Sequence, residues 1–508
     1  MGEPIDLDKA KKARRGAARR SAQPSADDTV VRRVEKMNVD YAFTLMGGKP
    51  VVLHEKTDFR GVPQVDFLGL DGFLRWWDKE RVWDDETDKM IGVGHIWMRH
   101  PDRRDYLGVE FAPEGVPEGW FNLWRGFAVS PAAPYADVRQ HATHFPRFSK
   151  HILENVAQGN RDVARWVWAF FAQMIQQPEK KPGTALALRG KQGCGKTKVG
   201  EVFGSLLARH WVKVAKPSHL TGNFNAHMFA CLLLQADEGF WAGDKGAEGA
   251  LKDLVTGDIH QLERKGIDAV PVRNLIRLLI TSNSEWVVPA GFEERRFAVL
   301  DVGNGNLQDH AFFAAIDQEM DEGGRQHLLA YLLGFDLSKV NLRTIPQTGA
   351  LWEQKVASMS ELHHWWWDRL KDGRLLPEHS RWMDEVAVDR LYNHFWRFFD
   401  RISRSRKPPK EQWAIELRKM LPPKPNGGPP FRDLQKVKVP RFADGVPVLL
   451  ADGSIQMERV NGWKGFPGLD ECRAYWEDMV GNKFDWAPAD DDDAGPDGQG
   501  EWDGCSDF

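Results

Sequence analysis

Gly190-Lys191-Gln192-Gly193-Cys194-Gly195-Lys196-Thr197 fits the pattern G-x-x-x-x-G-K-[ST] with no mismatch. The run before it, Thr184-Ala185-Leu186-Ala187-Leu188, is short and apolar and stops just before the first glycine, as a buried strand does. Residues 199–208 have helical spacing and no proline. Strand, loop and helix in this order predict an α/β fold built on a parallel sheet. Glycines let successive backbone N–H groups turn toward one point and cradle a phosphate at a helix N-terminus. Lys196 adds a positive charge for the β- and γ-phosphates, and the Thr197 hydroxyl is placed to ligate Mg²⁺. The expected nucleotide contacts are Gly190, Gly193, Cys194, Gly195, Lys196, Thr197 and Lys198, with ATP and Mg²⁺ as cofactors. The competing reading, a chance glycine-rich turn, does not explain the flanking strand and helix.

An ATPase needs more than this loop. Leu232-Leu233-Leu234-Gln235-Ala236-Asp237-Glu238 is an apolar strand ending in two acids, about forty residues downstream. Asp237 is placed to hold the metal shell and Glu238 to orient and deprotonate a water. Leu278-Leu279-Ile280-Thr281-Ser282-Asn283 reads as another buried strand, with the Asn283 carboxamide beside the γ-phosphate. Between these strands, residues 251–274 hold two strand-like arms around the basic turn Arg264-Lys265-Gly266, a hairpin signature. Arg264 and Lys265 suit a phosphate backbone, and solvated charge at a hairpin tip is the equal alternative. Arg295 and Arg296 precede the strand Phe297-Ala298-Val299-Leu300. Always-charged guanidinium groups suit a developing phosphoryl transition state, with Arg296 the first choice; a surface pair with Glu293 or Glu294 is the alternative.

At 508 residues the chain predicts two to four domains. A formal net charge of −4 confines any nucleic-acid site to a local patch. Four cysteines, none in a C-x-x-C pair, argue against a zinc ribbon or a disulfide scaffold. No signal peptide and no bilayer-length apolar run is present, so a cytoplasmic protein without membrane contact is expected. The 22 tryptophans read as core and interface anchors. By composition, residues 1–34 form a disordered basic arm and residues 488–508 an acidic disordered tail. Residues 35–150 form an α+β domain without clustered metal-binding carboxylates: Asp66, Asp71 and Asp78 are scattered. Residues 70–83 read as an amphipathic helix, and residues 151–182 as a helical collar. The ATPase core spans 183–335. Residues 345–487 form a mostly helical domain whose helices around the basic turn 401–410, followed by Lys436-Val437-Lys438-Val439, suggest a winged helix.

Phosphate loop, acidic strand, Lys-containing hairpin and Ser-Asn strand within roughly a hundred residues resemble superfamily 3 helicases. The likeness is strongest to the helicase part of phage and poxvirus-type primase–helicases, and it covers about residues 150–335. The resemblance implies an AAA+-like core, a collar-type N-terminal domain, and Arg296 reaching a neighbour's nucleotide. It implies an ATP-dependent, hexameric replicative DNA helicase of a phage or mobile element, working in the host cytoplasm on single-stranded or forked DNA. An ATP-switched initiator, loader or packaging ATPase without unwinding is the alternative. The chain starts too close to this core for a full primase–polymerase domain, so a separate protein is expected to make primers. The ending Ser506-Asp507-Phe508 resembles the acidic tip of bacterial single-stranded-DNA-binding proteins, which implies a host replication partner; a merely solvated tail is the competing reading.

Overall fold

The N-terminal helix α1 (Ala26–Asp40) runs into an antiparallel sheet of β1 (Tyr41–Met46), β2 (Lys49–Thr57) and β3 (Pro63–Gly69). The structure is a computed structural model that describes residues 26–59, 61–84, 87–216, 228–237, 245–264, 267–402, 407–424, 428–443 and 446–486. It divides into two compact units. One gathers the chain through Val288 with Arg295–Pro346; the other gathers Pro289–Glu294 with the chain from Gln347 onward.

In the first unit, α2 (Leu70–Trp77) is shorter than the helix expected over 70–83. The chain turns at 78–80 and enters a hairpin of β4 (Arg81–Asp84) and β5 (Lys89–Gly92), where Trp83 opposes Met90. The cross-strand pairing of this hairpin overrides the helical periodicity that residues 81–83 share with α2. Helix α3 (Val93–Arg99) buries Trp97, whose Nε1 donates to Asn38 Oδ1 at 2.8 Å and ties α3 to α1. Val34, Met37, Tyr41, Val52, Phe73 and Val93 pack around it. The short parallel pair β6 (Gly108–Glu110) and β7 (Trp120–Asn122) follows. Asp66, Asp71 and Asp78 each face a separate cation, namely Lys56, Arg75 and Arg81. Among the described residues no cluster of three or more His, Cys, Asp or Glu could hold a metal.

The segment expected to be a helical collar over 151–182 is broken. A π-helical turn covers His151–Val156, and α4 (Arg161–Gln176) begins after Gln158 and Gly159, both in the left-handed region at φ 48° and 79°. The Asn160 side chain caps α4 by accepting from the N–H groups of Asp162 and Val163. The core behind it is a five-stranded, all-parallel sheet in the order β14-β8-β13-β10-β9. Its strands are β8 (Ala185–Arg189), β9 (Trp211–Val214), β10 (Leu233–Asp237), β13 (Arg277–Ser282) and β14 (Phe297–Asp301). Helix α5 (Lys196–Gly204) follows β8, and α6 (Lys245–Thr256) precedes an antiparallel hairpin of β11 (Ile259–Arg264) and β12 (Ile267–Arg273). All five residues of β8 are buried, as a central strand covered on both faces requires. Two helices, α7 (His310–Glu319) and α8 (Arg325–Leu333), complete the unit.

The second unit holds α9 (Gly349–Ala357), α10 (Glu361–Asp372), β15 (Glu385–Ala387), α11 (Val388–Ile402) and α12 (Lys410–Lys419). A ribbon of β16 (Arg432–Pro440) and β19 (Met457–Lys464) follows, bridged by the short pair β17 (Phe442–Ala443) and β18 (Val446–Pro447), and α13 (Leu469–Val480) closes it. The antiparallel sheet order is β15-β19-β16. Its core is tryptophan-rich: Trp365, Trp366, Trp413, Trp463 and Trp476 are all buried. No helix among the described residues is long and apolar enough to cross a membrane.

Candidate nucleotide-phosphate site

The carboxyl ends of β8, β13, β10 and β14 share one edge of the sheet, where ligands of open parallel sheets sit. Between β8 and α5, Gly190, Gly193 and Gly195 take φ values of +153°, +83° and +92°. A Cβ on Gly195 would stand 2.5 Å from His151 Cε1 and from Phe313 Cε1. Glycine is therefore needed there both for the backbone and for the approach of its neighbours. The first N–H groups of α5 are left free to face an anion.

Four expected residues converge. Lys196 is buried, and its Nζ donates to Gly190 O at 2.8 Å, Lys191 O at 2.7 Å and Asn283 Oδ1 at 2.9 Å. Thr197 Oγ1 donates to Asp237 Oδ1 at 3.3 Å. Two residues that the sequence did not single out complete the carboxylate's shell. Thr281 Oγ1 donates to Asp237 Oδ1 at 2.6 Å, and Lys213 Nζ stands 2.9 Å from Oδ2. Burial pushes the Asp237 carboxyl up, but the bonds from Lys213, Thr281 and Thr197 outweigh it and hold the group below its usual value.

A cleft of about 240 Å³ opens over these groups, walled by Gln192, Gln308, His310 and Phe313. The wall residues Gln308, His310 and Phe313 come from a segment over a hundred residues downstream of the loop and carry no local pattern. Beneath the loop, His151 Nε2 lies 3.2 Å from Gly195 O and its Nδ1 lies 3.2 Å from Asn155 Nδ2. A neutral ring protonated on Nε2 satisfies both contacts. Burial pushes this imidazole down to about 4, against the pull of the Gly195 carbonyl. Cys194 is buried, with Sγ 3.7 Å from Lys196 Nζ. Lys198 borders the cleft but is engaged by Asp317 at 2.8 Å and Glu201 at 3.3 Å.

Other expected residues are not gathered here. Glu238 and Lys265 lie outside the described residues, as do the side chain of Arg264 and the whole acidic tail. The backbone of Arg264 ends β11, so the basic turn does fall at the far end of a hairpin. The helix α6 occupies residues that the sequence suggested as one of its arms. Arg295 and Arg296 sit at the amino end of β14, at the opposite edge of the sheet from the loop. There Arg296 O accepts from Ala185 N at 2.7 Å. At the loop edge the same two strands are clasped by Arg189 on Asp301, at 2.6 and 2.8 Å.

The donor set fits a nucleotide with a hard divalent cation. One hydroxyl and one carboxylate leave most positions of an octahedral Mg²⁺ to water and phosphate oxygens. Lys196 and the loop amides are the groups that would face the phosphates of such a nucleotide.

A family profile described as "Family of unknown function (DUF5906)" matches residues 188–296, the stretch from the end of β8 to Arg296. The chain is 24% identical over 264 residues to the DNA Primase-polymerase of Nitratiruptor phage NrS-1. That match takes in 50% of this chain and 34% of the relative, so the chain spans about a third of the curated relative's length. Two solved structures of the apo NrS-1 C-terminal region superpose with TM-score 0.48 and 17% identity. They cover 66% and 65% of this chain and 75% of theirs. The primase–polymerase match overturns the hexameric replicative helicase expected from the sequence, together with its initiator, loader or packaging alternative. The physical reason is that a phosphate loop and an acidic strand specify how a triphosphate is held, not what its use accomplishes on DNA. The side chains of the basic turn, Arg264 and Lys265, lie outside the described residues.

Proposed function

We propose that this chain binds a Mg²⁺–nucleoside triphosphate, ATP in the first instance, over residues 190–197 and hydrolyses it within a phage DNA-replication enzyme of the primase–polymerase type. One observation carries the reading: Lys196, Thr197, Asp237 and Asn283, drawn from three elements, form the hydrogen-bonded pairs Lys196–Asn283 and Thr197–Asp237 around one cleft at the carboxyl edge of a parallel sheet. The strand order, with the loop after β8 and the acid ending β10, supports a P-loop ATPase core of the AAA+ kind. The collar-type role of the N-terminal part and the winged-helix character of the second unit belong to the same proposal; the order β15-β19-β16 packed with α10, α11 and α12 supports the latter.

In this reading Thr197 and Asp237 orient Mg²⁺, Lys196 leaves the loop carbonyls for the β- and γ-phosphate oxygens, and Asn283 faces the attacking water. Water adds to the γ-phosphorus, the bond to the bridging oxygen breaks, and Glu238 takes the water proton. The test is Mg²⁺-dependent release of inorganic phosphate by the wild type and by Lys196→Ala. Equal turnover in the two would refute the assignment.

The name of the phage relative favours a second reading, nucleotidyl transfer, in which the triphosphate is a building block. Pyrophosphate release with extension of an oligonucleotide on a single-stranded template, without free phosphate, would establish that reading instead.

A further inference from the structure

Strand β16 pairs with β19 so that Lys436 opposes Asn461, Lys438 opposes Arg459 and Pro440 opposes Met457. Alternate residues of a strand share a face, so Lys436, Lys438 and Arg459 stand together on one side of the ribbon. All three are exposed. None has a hydrogen-bond or ion-pair partner among the described residues, whereas Glu458, on the other face, is held by Arg390 at 2.7 Å. That inner face is closed by Val437, Val439 and Val460 packed on Ala387. Over Lys436–Pro440 and Met457–Asn461 the outer face is thus a cationic stripe with no carboxylate in it. It continues into a tip where Val446, Leu449, Leu450 and Ile455 are exposed at 65%, 61%, 47% and 45%. The tip is shaped by backbone bonds from Val448 N to Arg441 O and from Gln456 N to Val448 O, both 2.7–2.9 Å. A turn there is closed by Asp452, which accepts from Ser454 N and Oγ.

Helix α12 makes the contrast. Two of its three cations are already neutralised: Lys410 pairs with Asp389, and Lys419 with Glu416 at 2.7 Å, while Arg418 lies over the Phe431 ring and Glu411 adds a further exposed negative charge.

We propose that the outer face of the β16–β19 ribbon is a duplex-DNA-binding surface, with Lys436, Lys438 and Arg459 on the phosphate backbone and the aliphatic tip in the groove. Partnerless cations of one sign complement phosphates and gain counterion release on contact. A two-stranded ribbon has the width that a duplex groove admits, and aliphatic side chains at its end meet thymine methyls or wedge between base steps. In this arrangement the ribbon carries the contact, and the face of α12 is a bystander.

The experiment is fluorescence anisotropy of the full chain with a labelled duplex over a salt series, and it is independent of the nucleotide site. The triple variant K436Q/K438Q/R459Q is expected to lose at least tenfold in affinity at low salt. The slope of log affinity against log salt should become shallower by about 2 to 3, at roughly 0.9 for each lost phosphate contact. Its basal nucleotide turnover and circular dichroism should match the wild type, which separates this surface from the hydrolysis reading. The charge-keeping variant K436R/K438R/R459K should retain binding. The tip variant L449S/L450S should weaken binding with the salt slope unchanged. Wild-type affinity and slope in the triple variant would overturn the proposal. So would a loss confined to K410Q/K419Q on α12, tighter binding to single strands than to the duplex, or a loss seen only with anionic vesicles.

Discussion

Lys196 Nζ lies 2.9 Å from Asn283 Oδ1, so the phosphate loop is latched to the end of β13 by a neutral carboxamide. A carboxamide holds the ammonium without neutralising it, which leaves the charge available to an incoming phosphate. Asn283→Asp converts the latch into an ion pair that competes with the triphosphate. Nucleotide affinity should fall at least tenfold, read by isothermal calorimetry. Lys196→Ala should lower phosphate release by about 10²–10³, the cost typical of one lost electrostatic contact. Affinity unchanged by the Asp variant would show that the latch opens freely.

Gly195→Ala should be damaging out of proportion to one methyl. The added Cβ meets His151 and Phe313 at 2.5 Å, and the backbone is left-handed at φ +92°. Strain and overpacking together are expected to cost about 2–4 kcal/mol, read as a lowered Tm. His151→Ala combined with Phe313→Ala should recover only the packing part, since the φ angle stays.

Stability should fall on mild acidification. His151 and His210 are buried, and burial pushes both imidazoles down to about 4 from an ordinary 6.5. The unfolded chain therefore takes up protons that the folded chain refuses. The folded state keeps its full advantage above about pH 6.5 and loses it as pH falls toward 4, at up to about 1.4 kcal/mol per pH unit for each ring. His151→Asn removes one titrating ring, so its Tm–pH curve should be flatter in that window. An unchanged curve would mean that the ring titrates in place.

Arg277 is a structural cation away from the cleft. Its guanidinium is buried and donates to Pro178 O, Leu275 O, Gln177 O, Lys180 O and Gln173 Oε1. Arg277→Met leaves several buried carbonyls unsatisfied and should destabilise by at least about 3 kcal/mol in urea unfolding. Nucleotide affinity measured below the transition should hardly move, because none of the five acceptors borders the phosphate loop.

Arg296 stands at the wrong edge of the sheet to serve the loop of its own chain, and a role in hydrolysis requires a second copy. Mixing Lys196→Ala with Arg296→Ala, each inactive alone, should restore partial phosphate release if one chain's Arg296 completes another's site. No recovery on mixing would remove Arg296 from the chemistry.

The loop and the acidic strand were legible because a contiguous octapeptide and an apolar run carry their whole signal. Lys213, Thr281 and His151 were not. Thr281 arrives because β13 lies between β8 and β10, Lys213 because β9 flanks β10, and His151 from the π-helical turn packed under Gly195, and no local spacing encodes any of these. The break at Gln158–Gly159 was hidden because the apolar residues on either side keep helical spacing through it. In the second unit, Lys436-Val437-Lys438-Val439 announced a strand, yet its exposed and buried faces became distinct only once β19 was its partner. What the triphosphate is used for was beyond the motif, since the same holding geometry serves many chemistries.

The clasp of Arg189 on Asp301, with Arg296 O bonded to Ala185 N at the other end, turns β8 and β14 into a measuring rod. The interval between the two edges of the sheet then comes only in increments of about 3.3 Å per residue. A single insertion or deletion in β14 would also turn every later side chain over to the other face. The length of this short strand is therefore not free to drift by one residue: a viable relative must keep it, or change both strands and the clasp together.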